Sequence, residues 1–151
     1  MKKFSFKFET VLRVKEKKEE ELKRALMRLQ ALRIEQEQLL EKIDNEKRRV
    51  YGAKAAEKQG GVDIMSLVNY EAYLNNLRRK ISAAEKKIKE LEKKADDKRV
   101  EVIEASKEKK IFEKLKEKHF SEFKKTIVSN EQKQLDEIAV NKYNRDEQRT
   151  Y

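Results

Sequence analysis

From Val11 to Val50, and again from Leu67 to Phe112, apolar residues return at alternating spacings of four and three. Such a repeat marks an α-helix that buries one narrow stripe against another helix. In the first segment the line is Val11, Lys15, Lys18, Leu22, Ala25, Leu29, Leu32, Gln36, Leu39, Ile43, Glu46 and Val50, apolar at eight of twelve positions. Leu12, Leu26 and Leu40 repeat every 14 residues beside it and widen the stripe. The second line runs Leu67, Tyr70, Leu74, Leu77, Ile81, Ala84, Ile88, Leu91, Ala95, Lys98, Val102, Ala105, Lys109, Phe112, broken only by two lysines. Beyond Phe112 two stripes compete. One passes through Leu115, His119 and Phe123, the other through Phe120, Phe123, Ile127, Leu135 and Ile138. A stutter at that point is expected to weaken pairing of the C-terminal segment with the first helix.

Almost nothing interrupts these helices, for the chain has no proline and three glycines. Gly60-Gly61 lies between the periodic segments and frees the backbone for a reversal. Asp63 or Ser66 is then placed to cap the following helix. The predicted fold is all-α: two long helices in an antiparallel coiled-coil hairpin, helix 1 over about 5–58, a turn over about 59–63 and helix 2 over about 64–145. The whole of 1–151 is expected to form a single coiled-coil domain, with the C-terminal part of the longer helix projecting past the start of the first. A parallel homodimer of straight helices would also bury the stripes. The Gly-Gly break favours the hairpin.

Composition agrees with narrow seams rather than a wide core, since 45% of residues are charged and 37% are hydrophobic. Net charge is +10, which raises the question of nucleic acid. Cations outnumber acids by 17 to 11 in residues 1–58, by 13 to 10 in 59–110 and by 9 to 8 in 111–151, interleaved throughout. A polyanion-binding groove needs cations segregated on one face. A basic coiled coil that binds nucleic acid is therefore the weaker reading. There is no cysteine for a disulfide or thiolate site, no apolar run of membrane-spanning length, and no apolar stretch after MKKFSFKF to make a secretory signal. A soluble cytoplasmic protein is expected.

Catalytic constellations are missing. His119 is the sole histidine, which excludes histidine clusters and two-histidine zinc sites, and no phosphate-cradling glycine loop occurs. A two-helix hairpin also offers little concave, water-excluding space. No enzyme activity, cofactor or metal is expected, and the chain reads as a binding or scaffold protein.

Two regions stand out as contact surfaces. From Gln59 to Leu77 only Asp63 and Glu71 are charged, and NYEAYLNNLRRKI crowds two tyrosines and three asparagines together. Tyr70, Leu74, Leu77 and Ile81 belong to the stripe. Asn69, Tyr73, Asn76 and Lys80 lie one position earlier, on the next stripe around the helix. Tyr73 is thus a candidate interface anchor. At the other end of a hairpin, Phe4, Phe6 and Phe8 meet Phe112, Phe120 and Phe123, either closing the core or offering an apolar tip.

Three blocks in order, FSFKFETVLRVKEKKEEELKRAL, NYEAYLNNLRRKI and NEQKQLDEIA, resemble those of the flagellar export protein family FliJ across nearly the whole chain. The resemblance implies a two-helix antiparallel coiled coil similar to the central stalk of rotary ATPases. It implies a place in the ring of the FliI-type export ATPase hexamer, with Val11, Leu12, Phe120, Phe123, Leu135 and Ile138 entering the ring. It further implies a link to the membrane export gate FlhA and assistance to export chaperones, with the chain peripheral to the inner face of the membrane at the flagellar base. The family's gate-binding strip falls on Tyr73, Leu77, Lys80 and Ala84. Tyr73 and Leu77 match that strip, whereas Lys80 and Ala84 depart from it. The equivalent stalk of an injectisome-type secretion system shares the architecture and is the nearest alternative.

Overall fold

A computed structural model describes residues 3–61 and 63–148. The chain is an all-α helical hairpin of α1, Glu9–Gln59, and α2, Ile64–Gln148, packed against each other. No strand occurs among the described residues. Packing divides into two compact units, one of residues up to Glu19 together with those from Ala105, the other Glu20–Glu104. Both helices contribute to each. Within each unit partners climb one helix as they descend the other: Glu9 with Lys116 and Lys15 with Glu108 in the first, Arg33 with Glu92 and Lys54 with Glu71 in the second. The pairing is antiparallel.

The α2 stripe is the seam. All fourteen positions from Leu67 to Phe112 are buried or half-buried, with Leu74 fully enclosed. Beyond Phe112 the same spacing continues through Lys116, His119 and Phe123. The stripe through His119 and Phe123 therefore wins, and the expected stutter is absent. From Lys124 to Lys142 every side chain is exposed, so this part of α2 lies uncovered within its unit.

Half of the α1 seam differs from expectation. Lys15, Leu22, Leu29, Gln36, Ile43 and Val50 face inward as expected, but the alternate positions are Leu12, Glu19, Leu26, Arg33, Leu40 and Lys47, each one residue later than anticipated. Val11, Leu32 and Leu39 sit on the flank, 38%, 47% and 44% exposed. The reason is compositional. The true line holds charged residues whose aliphatic stems pack while their heads reach partners at the edge, so a purely apolar criterion prefers its neighbour. Glu19 is buried and pairs with Lys109 at 2.7 Å. Arg33 Nε, buried 3.2 Å from Glu37 Oε1, and Arg33 Nη1, 3.9 Å from Glu92, show the same device.

The turn is made as the glycines suggest. Gly61 adopts φ 92°, a conformation that an L side chain resists. Asp63 caps α2, its carboxylate accepting from Met65 N at 3.4 Å and its carbonyl from Leu67 N at 3.2 Å. Ser66 has another task, donating to Glu57 Oε1 at 2.7 Å across the turn. Just inward, Val50, Leu74 and Leu77 form the buried cluster, with Ile43 and Tyr70 against it. Each such aliphatic side chain contributes about 1.5–3 kcal/mol when fully buried.

Candidate docking surfaces

In the unit Glu20–Glu104, α2 enters the seam with Leu74 and Leu77 side by side, which throws Tyr73 onto one flank and Arg78 onto the other. The Tyr73 hydroxyl donates to Glu46 Oε1 at 3.1 Å, and Glu46 is itself gripped by Arg49 through bonds of 2.8 and 2.7 Å. The Arg49 guanidinium, then the Tyr73 hydroxyl, hold the Glu46 carboxyl below its ordinary range. The same bond to Glu46 pushes the Tyr73 phenol up. On the opposite flank Arg78 donates 2.7 Å bonds to the Tyr51 hydroxyl and Asn75 Oδ1. Glu71 there is lowered by Lys54, whose ammonium bonds it directly. Nearer the turn, Glu57 is lowered by the hydroxyls of Ser66 and Tyr70, and Tyr70 is raised in return.

The four residues of the expected gate strip do not form one exposed surface. Tyr73 is 44% exposed and Lys80 is exposed, whereas Leu77 and Ala84 are buried in the seam at 3% and 5%. Sequence reading passed over another exposed group, Ile64, Met65 and Val68 at the start of α2. Its signal was available, since these apolar residues lie off the seam spacing in the low-charge window.

In the other unit the N-terminal phenylalanines close the seam rather than standing free. The chain is non-helical through Phe8, because the alternation of Phe4, Phe6 and Phe8 suits a segment laid across helices rather than along one. The first helix accordingly begins at Glu9 rather than near residue 5. Phe4 packs edge-on to Phe120 at 5.1 Å and against Phe123 at 5.5 Å, Phe6 against His119 at 5.7 Å, and Phe8 against Phe112 at 6.3 Å. Such aromatic pairs contribute about 0.5–1.5 kcal/mol each beyond the area they bury. Below them Glu9 pairs with Lys116, Lys15 lowers the Glu108 carboxyl, and Glu19 raises Lys109.

Of the residues expected at a ring interface, Leu12 is buried and Phe123 is partly covered by Phe4. Val11 is exposed, Phe120 is exposed at the edge of this cluster beside Phe4, and Leu135 and Ile138 lie on the uncovered stretch of α2, 61% and 64% exposed.

Among the described residues no group of acids and histidines is placed to hold a metal, and no helix is long and apolar enough to cross a membrane. Paired helices with an uncovered stretch of α2 and a polar-clasped tyrosine flank define an all-α coiled-coil hairpin. The chain belongs to the flagellar FliJ protein family, whose model matches residues 4–148. Membership supports a stalk role related to flagellar export and fits a non-catalytic protein. Comparison with curated proteins and with solved structures gave no match.

Proposed function

We propose that the chain is a non-enzymatic stalk and adaptor of flagellar type III protein export. In this reading the unit holding the N-terminal aromatic segment and the end of α2 enters a FliI-type ATPase hexamer. The Tyr73 flank docks on the export gate FlhA, and export chaperones are handled on the same scaffold. The protein then works at the cytoplasmic face of the membrane, peripheral to the flagellar base.

The observation that carries the reading is the family match over residues 4–148. The uncovered stretch 124–142 supports it, because Leu135 and Ile138 have no cover of their own and suit a surrounding partner. Tyr73 supports the second contact, being a half-exposed aromatic held in place by Glu46. Leu77 and Ala84 would act there by shaping the seam beneath Tyr73 and Lys80.

Adding the purified chain to its cognate hexameric ATPase tests the reading. Stimulated hydrolysis or assembly, lost in a Leu135→Asp/Ile138→Asp variant that still folds, is expected. Absence of association under every nucleotide condition would remove the proposal.

A further inference from the structure

The two flanks of the seam in residues 20–104 are built differently. On one, charges meet opposite charges or polar groups: Lys54 with Glu71, Arg78 with Glu71 and the Tyr51 hydroxyl, and Arg33 in ion pairs with Glu37 and Glu92. On the other, the bond from Tyr73 to Glu46 sets which residues face each other. The seven-residue repeat carries that pairing along, placing Leu39 beside Lys80, Leu32 beside Lys87 and Ala25 beside Lys94.

Coiled coils commonly put opposite charges at such facing positions. Here one helix offers lysines and the other aliphatic side chains. Lys80, Lys87 and Lys94 are exposed and form no ion pair or hydrogen bond with any described residue. Leu32 and Leu39 remain nearly half exposed. Between Leu39 and Lys80 lies an open groove of ≈ 460 Å³, floored by Ile43, Ala83 and Ala84. On the outer positions beside this row, Arg28 and Lys42 accompany Glu21, Glu35, Glu90 and Asp97, so the positive charge nearest the aliphatic row is that of Lys80, Lys87 and Lys94.

We propose that this flank seats a third helix, an acidic amphipathic segment of a partner protein. Its aliphatic row lies against Leu32, Leu39 and the groove, and its carboxylates face Lys80, Lys87 and Lys94. From Lys80 to Lys94 the row rises roughly 21 Å at 1.5 Å per residue, the reach of a helix of about 15 residues. Charge selects the occupant. A two-fold pairing of this flank with a second copy would set lysines against lysines. The aliphatic rail between the cations suits a helix better than a phosphate backbone, which leaves Leu32 and Leu39 without partners. The inference rests on the gate-docking reading only where the two share Tyr73 and Lys80.

The test uses the full chain and a labelled synthetic helix of about 20 residues, with leucine at the two seam positions of each heptad, glutamate at the flanking ones and alanine elsewhere. Fluorescence anisotropy should show saturable, salt-sensitive binding, weakened about tenfold or more in Lys87→Glu/Lys94→Glu and in Leu32→Asp. Lys89→Glu/Lys93→Glu, on the outer face, should bind as the parent does, and all variants should keep the parent's helical circular dichroism. Equal binding by parent and flank variants, or none at millimolar peptide, would overturn the proposal. So would self-association in sedimentation, or tighter binding of duplex DNA than of the peptide, if the flank variants abolish it. Because Lys87 and Lys94 lie outside the gate strip, loss of FlhA binding in Tyr73→Ala with unchanged peptide binding in Lys87→Glu/Lys94→Glu would sink this proposal alone.

Discussion

Tyr73 Oη donates to Glu46 Oε1 across 27 residues of chain and 3.1 Å of space, joining the flanks of α1 and α2 beside the enclosed Leu74. Tyr73 is exposed and Glu46 half-buried at the edge of the seam, so the bond orients the tyrosine more than it stabilises the hairpin. Tyr73→Phe should leave thermal melting unchanged and move the Glu46 titration midpoint, read by NMR, upward toward the ordinary carboxylate value. In the parent, the folded Glu46 carboxyl sits below its unfolded value. Its small stabilising effect is therefore present above the unfolded value and fades as pH falls through the folded one. A midpoint unmoved by Tyr73→Phe would show that Arg49 alone sets it.

The seam can be checked by pairs of neighbours. Leu12→Ala and Leu74→Ala remove buried side chains and should cost about 2–5 kcal/mol each in urea unfolding. Val11→Ala and Leu39→Ala, on the flank, should stay within about 1 kcal/mol. Equal losses for Leu12 and Val11 would contradict the observed seam.

This contrast marks what could be read from the sequence. The α2 seam was legible in full, because its apolar positions are nearly continuous from Leu67 to Phe112. The α1 seam was legible in half. Leu12, Leu26 and Leu40 stand in a line otherwise filled by Glu19, Arg33 and Lys47, whereas the flanking line carries Val11, Ala25, Leu32 and Leu39. Hydrophobicity favours the wrong neighbour wherever a charged stem fills the seam. The exposure of Tyr73 followed from helical spacing. Its grip by Glu46 did not, since that depends on which residues of the partner helix stand opposite, and spacing within one helix carries no such information.

Glycines provide a third check. Gly61→Ala should destabilise by about 1–2 kcal/mol, because φ 92° belongs to the left-handed region. Gly52 lies inside α1 with open space where a side chain would go, so Gly52→Ala should stabilise by about 0.5–1 kcal/mol. Opposite signs from these two substitutions, in the same urea titration, are the expected result.

Breaking the buried pair should be costly from either side. Glu19→Gln leaves the Lys109 ammonium with only the more distant Glu113 carboxylate, 3.7 Å away, and should lose about 1–3 kcal/mol, whereas the double change of Glu19 and Lys109 to leucines should recover most of it. The Lys109 pKa is raised by Glu19. Its contribution is therefore complete below the unfolded value and disappears as pH climbs through the folded one, a decline in alkaline stability that Glu19→Gln should flatten.

The same pair has a consequence for register. Repeats of seven residues are nearly interchangeable, and a long hairpin with only leucines inside could slide by a heptad at little cost. Moving Glu19 one heptad along α2 places it against Lys116 and leaves Lys109 facing Leu26; moving it the other way sets Glu19 against Val102 and Lys109 against Leu12. Either slip gives up the 2.7 Å buried pair and sets a charged side chain opposite an apolar one, Lys109 keeping only the longer contact to Glu113 on its own helix. One ion pair, weak as a source of stability, thus makes a single alignment of the two helices the preferred one.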